Sequence, residues 1–401
     1  MTSKIDSRVV FLTHYIPPYQ VQVLKAIAER VRDFKVLLST PIEPNRDFEL
    51  DWGGLDVTVQ RTITFRRRWR HRGQNTALQF DDPLYVHLPI DTTKQLKRFC
   101  PDVVMSLELG ARSLGAVRYG QLTGCPSILC TYMSEHTETH RGLLRERVRR
   151  YLVRKADAIT YNGPSCRNYL RSIGAVDDQL YRLSYAADDR TVFKGAVERD
   201  DIATRSRLLY VGQLSERKGI LPMLQQVSDF CRERPDRSIE LRLAGQGPLR
   251  DQVADFAVPN NLSVRLLGNI PPSNLADEMA NCGATIASTL ADEWLLVVNE
   301  ALHAGLPVIG SRYAQAVTTL INDGENGWVY DPVNPASLHA ALDQYFSMDS
   351  GEASQLWERC QASIRHCTPP WAASEAVQAI ADLTASRASA AGPSASHEAS
   401  S

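Results

Sequence analysis

The sequence predicts an α/β chain folded as two doubly wound, Rossmann-like domains facing a central cleft. Three observations lead there. Short β-rich runs alternate with helical patterns along most of the chain, the order that builds parallel sheets with crossover helices. The alternation halts at a polar stretch, "KGAVERDDIATR" (194–205), and then restarts. The 401 residues are too many for one compact core and suit two of ordinary size.

In the first half, "VVFLTH" (9–14) precedes the helical pattern "QVQVLKAIAERV", and "FKVLLS" (34–39) is the next strand. "DVVMSLE" (102–108) precedes "ARSLGAVRYGQL", "SILCTY" (127–132) precedes a basic helix, and "DAITYNG" (157–163) follows it. In the second half the strands are "SRLLYVG" (206–212), "IELRLAG" (239–245), "VRLLG" (264–268), "ATIAS" (284–288) and "PVIGS" (307–311), each leading into a helical pattern. "LLVVNEALHAG" (295–305) reads as a helix stopped by Gly305. The expected division is 1–195 for the first domain, 196–365 for the second, 366–385 for a helix packing back toward the first, and 386–401 for a disordered tail. That tail is small, polar and of low complexity, with too little apolar surface to order itself.

Hydrophobic residues make up 43% of the chain and charged residues 23%, which suits a soluble globular protein. No apolar run approaches the roughly 20 residues of a membrane span, and the opening residues read as a first strand rather than a signal peptide. The eight cysteines form no C-x-x-C and no zinc spacing, so they read as reduced core thiols of a cytoplasmic protein. The net charge of −1 hides an asymmetry: residues 1–190 carry 29 Lys and Arg against 21 Asp and Glu, and the remainder 16 against 25. Two clusters supply the excess, "RTITFRRRWRHRG" (61–73) and "RGLLRERVRRYLVRK" (141–155). A solvated face is the plain reading. An anionic membrane surface or a phosphate-bearing acceptor is the functional one, and nucleic acid is disfavoured because no recognised module accompanies the charge.

In open α/β sheets, ligands bind beyond the carboxyl ends of the strands, so three corners of the second half draw the eye. "YVGQLSERKGI" (210–220) ends a strand at Gly212 and offers Arg217 and Lys218 beside free helix-start amides, an anion site. "LAGQGPLR" (243–250) is a strand-glycine corner with Gly245 and Gly247, lacking the third glycine of a dinucleotide fingerprint. "DEWLLVVNEALHAG" (292–305) puts Asp292 and Glu293 in a loop and Glu300 farther along, so two carboxylates bracket one stretch. Each carboxylate can accept the paired hydroxyls of a sugar or ribose. A capping acid and an exposed helical glutamate is the plain reading of that segment.

With these three corners in order, residues 206–345 resemble the donor domain of the family 4 retaining glycosyltransferases, which have the GT-B fold. That family carries a "G-R-L-x-x-x-K-G" loop, a "G-x-G-P" corner and an "E-x7-E" motif. Here they read Gly212-Gln213-Leu214 with Lys218-Gly219, Gly245-Gln246-Gly247-Pro248, and Asp292 to Glu300-Ala301. "AGLPVIGS" (304–311) and "DGENGWVYDP" (323–332) continue the match, whereas the first half matches only in outline. The resemblance implies that Lys218 binds the donor diphosphate with Arg217 beside it, that Glu300 holds the ribose hydroxyls, and that the amides of Leu296 and Val297 approach the phosphate. The transferred sugar would meet Asp292, with Glu293 as the alternative at one residue's remove. Four positions depart from the family: the first acid is Asp292, the loop arginine is Gln213, a glycine is Leu295, and "AQAV" (314–317) stands where Gly-Gly-x-x-Glu often occurs. In the first half "HYIPPYQ" (14–20) replaces a glycine-rich loop. Glu135 and His136 follow a strand where relatives often place a residue facing the reaction, and Glu108 is a candidate on the acceptor side.

The expectation is a retaining hexosyltransferase of the kind that assembles lipopolysaccharide or exopolysaccharide. It would move a sugar from a nucleotide-diphosphate donor to a hydroxyl acceptor, lipid-linked or a polysaccharide precursor. No metal or other cofactor is expected, and the location is cytoplasmic or peripheral on the inner membrane face. The rivals are a nucleotide-sugar epimerase on the same fold, a dinucleotide oxidoreductase, and a non-enzymatic nucleotide-binding scaffold.

Overall fold

A computed structural model describes residues 4–44, 46, 49–71, 75–139, 141–187 and 202–391. The first half is a seven-stranded sheet in the order β3-β2-β1-β6-β7-β8-β9, parallel throughout. Its strands are β1 (Ile5–Thr13), β2 (Val31–Leu38), β3 (Asp56–Val59), β6 (Val103–Leu107), β7 (Ser127–Cys130), β8 (Ala158–Tyr161) and β9 (Leu180–Arg182). Helices cover both faces, so residues 9–13 of β1 and all of β6 and β7 are buried at every position.

The second half is a six-stranded parallel sheet, β12-β11-β10-β13-β14-β15. These are β10 (Arg207–Val211), β11 (Ile239–Ala244), β12 (Leu262–Gly268), β13 (Ala284–Ala287), β14 (Val308–Ser311) and β15 (Gly327–Tyr330). Within this half the order is the doubly wound 3-2-1-4-5-6, whose switch point lies between β10 and β13. The loops after those two strands carry Arg217, Lys218 and Asp292, so topology alone assembles that part of the site.

The remaining pair forms a separate antiparallel ribbon, β4 (Thr62–His71) with β5 (Phe80–Pro89). In sequence, β4 reads only as a basic cluster. The ribbon reaches across from the first half to the second. Leu78 and Phe80 pack with Leu290 and Ala291, and the Asp81 amide donates to Glu216 Oε2 at 3.2 Å.

The chain returns to the first half at its end. The helix Pro369–Ala391 lays Ala372, Ala373, Ala376, Ala379 and Ile380 into the core of the first sheet with Val21, Leu24 and Ile27. Small residues at three- and four-residue spacing let the two helices approach closely. Tyr181 donates to Asp382 at 2.9 Å, and the Arg182 amide to Glu375 at 2.6 Å. This helix starts later than residue 366 and continues past 385, so the tail boundary expected at 386 falls inside it. Residues 392–401 lie outside the described residues, as do Arg72 and 188–201, which hold most of the expected linker. Its last residues, Ile202–Arg205, are helical.

Candidate functional site

The loop after β10 bends twice on glycines. Gly212 and Gly245 sit side by side, and a Cβ on Gly245 would collide with the Gly212 carbonyl. A Cβ on Gly247 would meet the Leu214 carbonyl in the same way. The Gly212 amide donates to Ala244 O at 2.9 Å and the Leu214 amide to Gln246 O at 3.0 Å, locking the two corners together. Gln213 contributes its carbonyl, which accepts from the Tyr210 hydroxyl at 2.9 Å. Gly219, at φ 64, then turns the chain so that Arg217 and Lys218 face the loop after β13.

Arg217, Lys218 and Asp292 form one partly buried ion cluster. Lys218 Nζ is 2.5 Å from Asp292 Oδ2, and Arg217 Nη1 donates to the same oxygen at 3.2 Å. Arg217 Nε donates to Asp82 Oδ2 of the ribbon at 2.6 Å, joining the two halves. Burial favours the neutral form of Asp292, but the adjoining lysine and guanidinium outweigh it and hold the carboxyl at about 2. Burial lowers Lys218 despite Asp292, whereas Arg217 is raised because its two carboxylates overcome its own burial.

Glu293 goes the other way. Its side chain lines a cavity of about 160 Å³ with His14, Tyr15, Tyr19, Arg46, Glu108 and Tyr132. Burial, then Glu138, Glu108 and Asp292, push its carboxyl up to about 8. Its carbonyl is gripped from both halves, by Asn162 Nδ2 at 2.9 Å and Gln315 Nε2 at 2.8 Å. Gln315 belongs to the "AQAV" segment that departs from the family pattern. Here it also accepts from the Cys166 amide at 2.8 Å.

Leu295 stands at φ 82, a left-handed conformation that costs a leucine but not the glycine expected there. The kink delays the helix, which runs Val297–His303 rather than from Leu295. Leu296 and Val297 therefore open it, and Glu300 sits in its first turn instead of farther along. Burial alone raises the Glu300 carboxyl to about 7.

The first-half candidates separate. Glu108, at φ 69, holds Arg112 Nη2 at 2.8 Å and faces the same cavity as Glu293. Burial opposes its charge, yet Arg112 and His14 keep its pKa below the usual range. His136 is tied to Leu290 O through Nε2 at 2.8 Å and packs against His71 and Tyr313, so it braces the ribbon against the second half. Burial lowers its pKa. Glu135 joins none of these groups: it is exposed and accepts from Ser165 Oγ at 3.2 Å.

Sequence reading missed His14, Tyr19, Arg46 and Asp82. His14 had one signal, its place just beyond β1 at the carboxyl edge of the sheet. It is held neutral, with burial outweighing Glu108 and bringing it to about 4. Asp82 had none, because its partner lies 135 residues away. Of the basic clusters, Arg149 is buried against Glu138 and Tyr169, while Arg66, Arg67, Arg68, Arg145 and Arg147 are exposed.

Residues 205–347 match the model of the glycosyl transferases group 1 family. The chain is 24% identical over 255 residues to the alpha-D-kanosaminyltransferase of Streptomyces kanamyceticus, covering 59% of this chain and 65% of that one. It is 27% identical over 143 residues to a D-inositol 3-phosphate glycosyltransferase of Corynebacterium kroppenstedtii, covering 34% and 31%. An uncharacterised glycosyltransferase of Methanocaldococcus jannaschii is 24% identical over 39% of this chain and 46% of its own. The matches thus span a third to two thirds of those relatives' length. Among solved structures, Anabaena HepE in complex with UDP superposes with a TM-score of 0.70 at 15% identity, covering 94% of this chain and all of that one. Sucrose-phosphate synthase from Thermosynechococcus elongatus gives 0.69 at 15%, with 94% and 100% covered. Residues 205–347 are thus similar to a group 1 glycosyltransferase domain, and the chain has the two-domain GT-B fold of these solved structures.

Proposed function

We propose that the protein transfers a sugar from a nucleotide-diphosphate sugar to a hydroxyl acceptor, with retention at the anomeric carbon. The observation that carries this reading is the Arg217–Lys218–Asp292 cluster at the switch point of the second sheet. A diphosphate entering there takes over the two cations, which meet the charge that develops as it leaves. No metal is assigned that task, and transfer should persist in excess EDTA. Freed from Lys218, Asp292 turns to the hydroxyls of the transferred sugar. Glu300 accepts the ribose hydroxyls, and the Leu296 and Val297 amides approach the phosphate.

The acceptor enters the cavity of His14, Glu108 and Glu293. A neutral His14 and a protonated Glu293 can accept from and donate to its hydroxyls, and Glu108, kept ionised beside Arg112, can accept. Same-face attack as the leaving group departs needs no enzyme nucleophile, and none is assigned.

A lipid-linked acceptor is favoured by the exposed face of the first half. Ile63 and Phe65 stand about half exposed beside Arg66, Arg67 and Arg68 on the ribbon. Arg141 stacks on Trp69 at 4.8 Å, joining the ribbon to the exposed Leu143 and Leu144. Apolar side chains framed by arginines suit an anionic membrane surface, and no described helix is long and apolar enough to cross one. Co-sedimentation with phosphatidylglycerol vesicles should fall with added salt and with charge reversal at Arg66–Arg68.

The experiment for the main reading is a thermal-shift screen of nucleotide-diphosphate sugars, followed by transfer assays with the best binder. A stabilising ligand whose shift disappears in Lys218→Ala supports it. Binding untouched by both Lys218→Ala and Glu300→Ala would sink it. Epimerised sugar without acceptor would favour the isomerase instead.

A further inference from the structure

A second cavity, of about 340 Å³, lies between the two halves. It shares no residue with the Arg217–Lys218–Asp292 cluster. Tyr185, which stacks on Trp294 at 6.1 Å, borders both it and the smaller cavity of Glu293. The first half contributes Arg167, Asn168, Arg171 and Arg182, and the second contributes Trp294 and Asn299. Trp371, from the returning helix, closes it.

Its polar lining is donor-rich. Trp294 Nε1 donates to Asn299 Oδ1 at 2.8 Å. Because an indole N–H only donates, that bond fixes the amide's orientation and turns Nδ2 away. Asn299 is fully buried, and this Nδ2 has no partner. Arg167 and Arg182 each have a buried Nε without a partner. Arg167 and Arg171 share the single carboxylate of Asp177, at 3.1 and 2.6 Å, and Arg182 leans on Glu375 at 3.3 Å. Neither acid lines the cavity. Three guanidiniums thus meet two outward carboxylates, and the inner face is cationic.

The walls are aromatic. Arg182 lies 4.1 Å over Trp371 and Arg167 lies 5.7 Å over Tyr161. Flat rings suit the C–H faces of a pyranose, guanidiniums suit a phosphate, and the asparagine amides suit hydroxyls. The volume is that of a small-molecule site.

We infer that this interdomain cavity binds a phosphorylated monosaccharide, with the phosphate on the Arg167–Arg171–Arg182 side and the ring against Trp294 and Trp371. The inference stands apart from the transfer reading, since the site can be measured with no donor present. Such a ligand touches both halves and rests on Trp294, two residues beyond Asp292.

The test is titration calorimetry on the full chain with glucose 6-phosphate, glucose and inorganic phosphate. Glucose 6-phosphate should bind saturably, at least tenfold more tightly than inorganic phosphate, and glucose should not bind measurably. Asn168 is exposed at the cavity rim, so Asn168→Glu should keep the melting temperature and weaken binding at least tenfold. Arg171→Gln should weaken it as well. No saturable binding of glucose 6-phosphate overturns the inference. So does binding that both variants leave intact, or equal affinity for inorganic phosphate, which would mean that the ring contributes nothing.

Discussion

Two adjoining regions of the cleft handle charge in opposite ways, the cluster around Asp292 and the cavity around Glu293. In the cluster, Asp292 is kept ionised at about 2 by Lys218 and Arg217. Around the adjoining cavity, His14 of the first half is driven to about 4 and Glu293 of the second to about 8, so both are neutral at pH 7. Asp292 and Glu293 are sequence neighbours, yet their pKa values lie about six units apart. One peptide bond separates a site governed by ion pairs from one governed by burial. The lesson is that one loop can hold an ionised carboxylate beside two cations and a protonated one in a buried cavity, because adjacent side chains meet different surroundings.

Four predictions test that contrast, the largest effect first. Lys218→Ala removes one of the two cations in the charged cluster and should lower kcat by roughly 10²–10³-fold, read in a transfer assay, with the fold intact by circular dichroism. A drop of less than threefold would mean the cluster is structural only.

Glu300 supplies the pH dependence. Its carboxyl titrates near 7, so it is neutral below that pH and accepts fewer hydrogen bonds. Affinity for a nucleotide-diphosphate sugar, whose own charge is constant there, should weaken about tenfold from pH 8 to pH 6. In Glu300→Gln the profile should be flat. An unchanged slope in that variant would assign the titration to another group.

Asp82→Asn probes whether the charged cluster depends on the opposite half. Arg217 would keep Asp292 and exchange its charged ribbon partner for a neutral acceptor, and kcat/KM should fall about five- to tenfold, in line with a charge-assisted hydrogen bond replaced by a neutral one. Because Asp82 acts through Arg217, the fall should shrink at high salt in the variant series, whereas a purely structural role would lower the melting temperature instead.

Leu295→Gly weighs strain against burial. Relief of the left-handed conformation is worth about 1–2 kcal/mol. Losing a buried leucine side chain costs about 2–5 kcal/mol. Burial wins, and the variant should lose about 1–3 kcal/mol in chemical denaturation. A stabilised variant would show that the leucine is held in place against its own packing.

Much of the second half was legible. Gly212, Gly245 and Gly247 announce corners because side chains there would strike a neighbouring carbonyl. Lys218 and Glu300 are spaced from those corners by short loops that leave little freedom. The first half was harder. Its glycine-rich loop is replaced by "HYIPPYQ", and nothing local marks His14 as neutral. Glu135 read as well as His136 in sequence, but one is exposed and the other buried against the ribbon. The basic run at 61–71 concealed a strand, because two-sided exposure erases the alternation that reveals one.

By itself the sequence determined the two alternating α/β halves, the break between them and the three corners after β10, β11 and β13. Those features depend on residues within a few positions of one another, where propensity and steric exclusion act directly. The tertiary structure alone decided which charges meet and which are silenced. Arg217 finds Asp82 135 residues away, and Glu293 finds Asn162 131 residues away. Protonation depends on the dielectric and the charges within a few ångströms, and those are fixed only once the ribbon and the two sheets have come together.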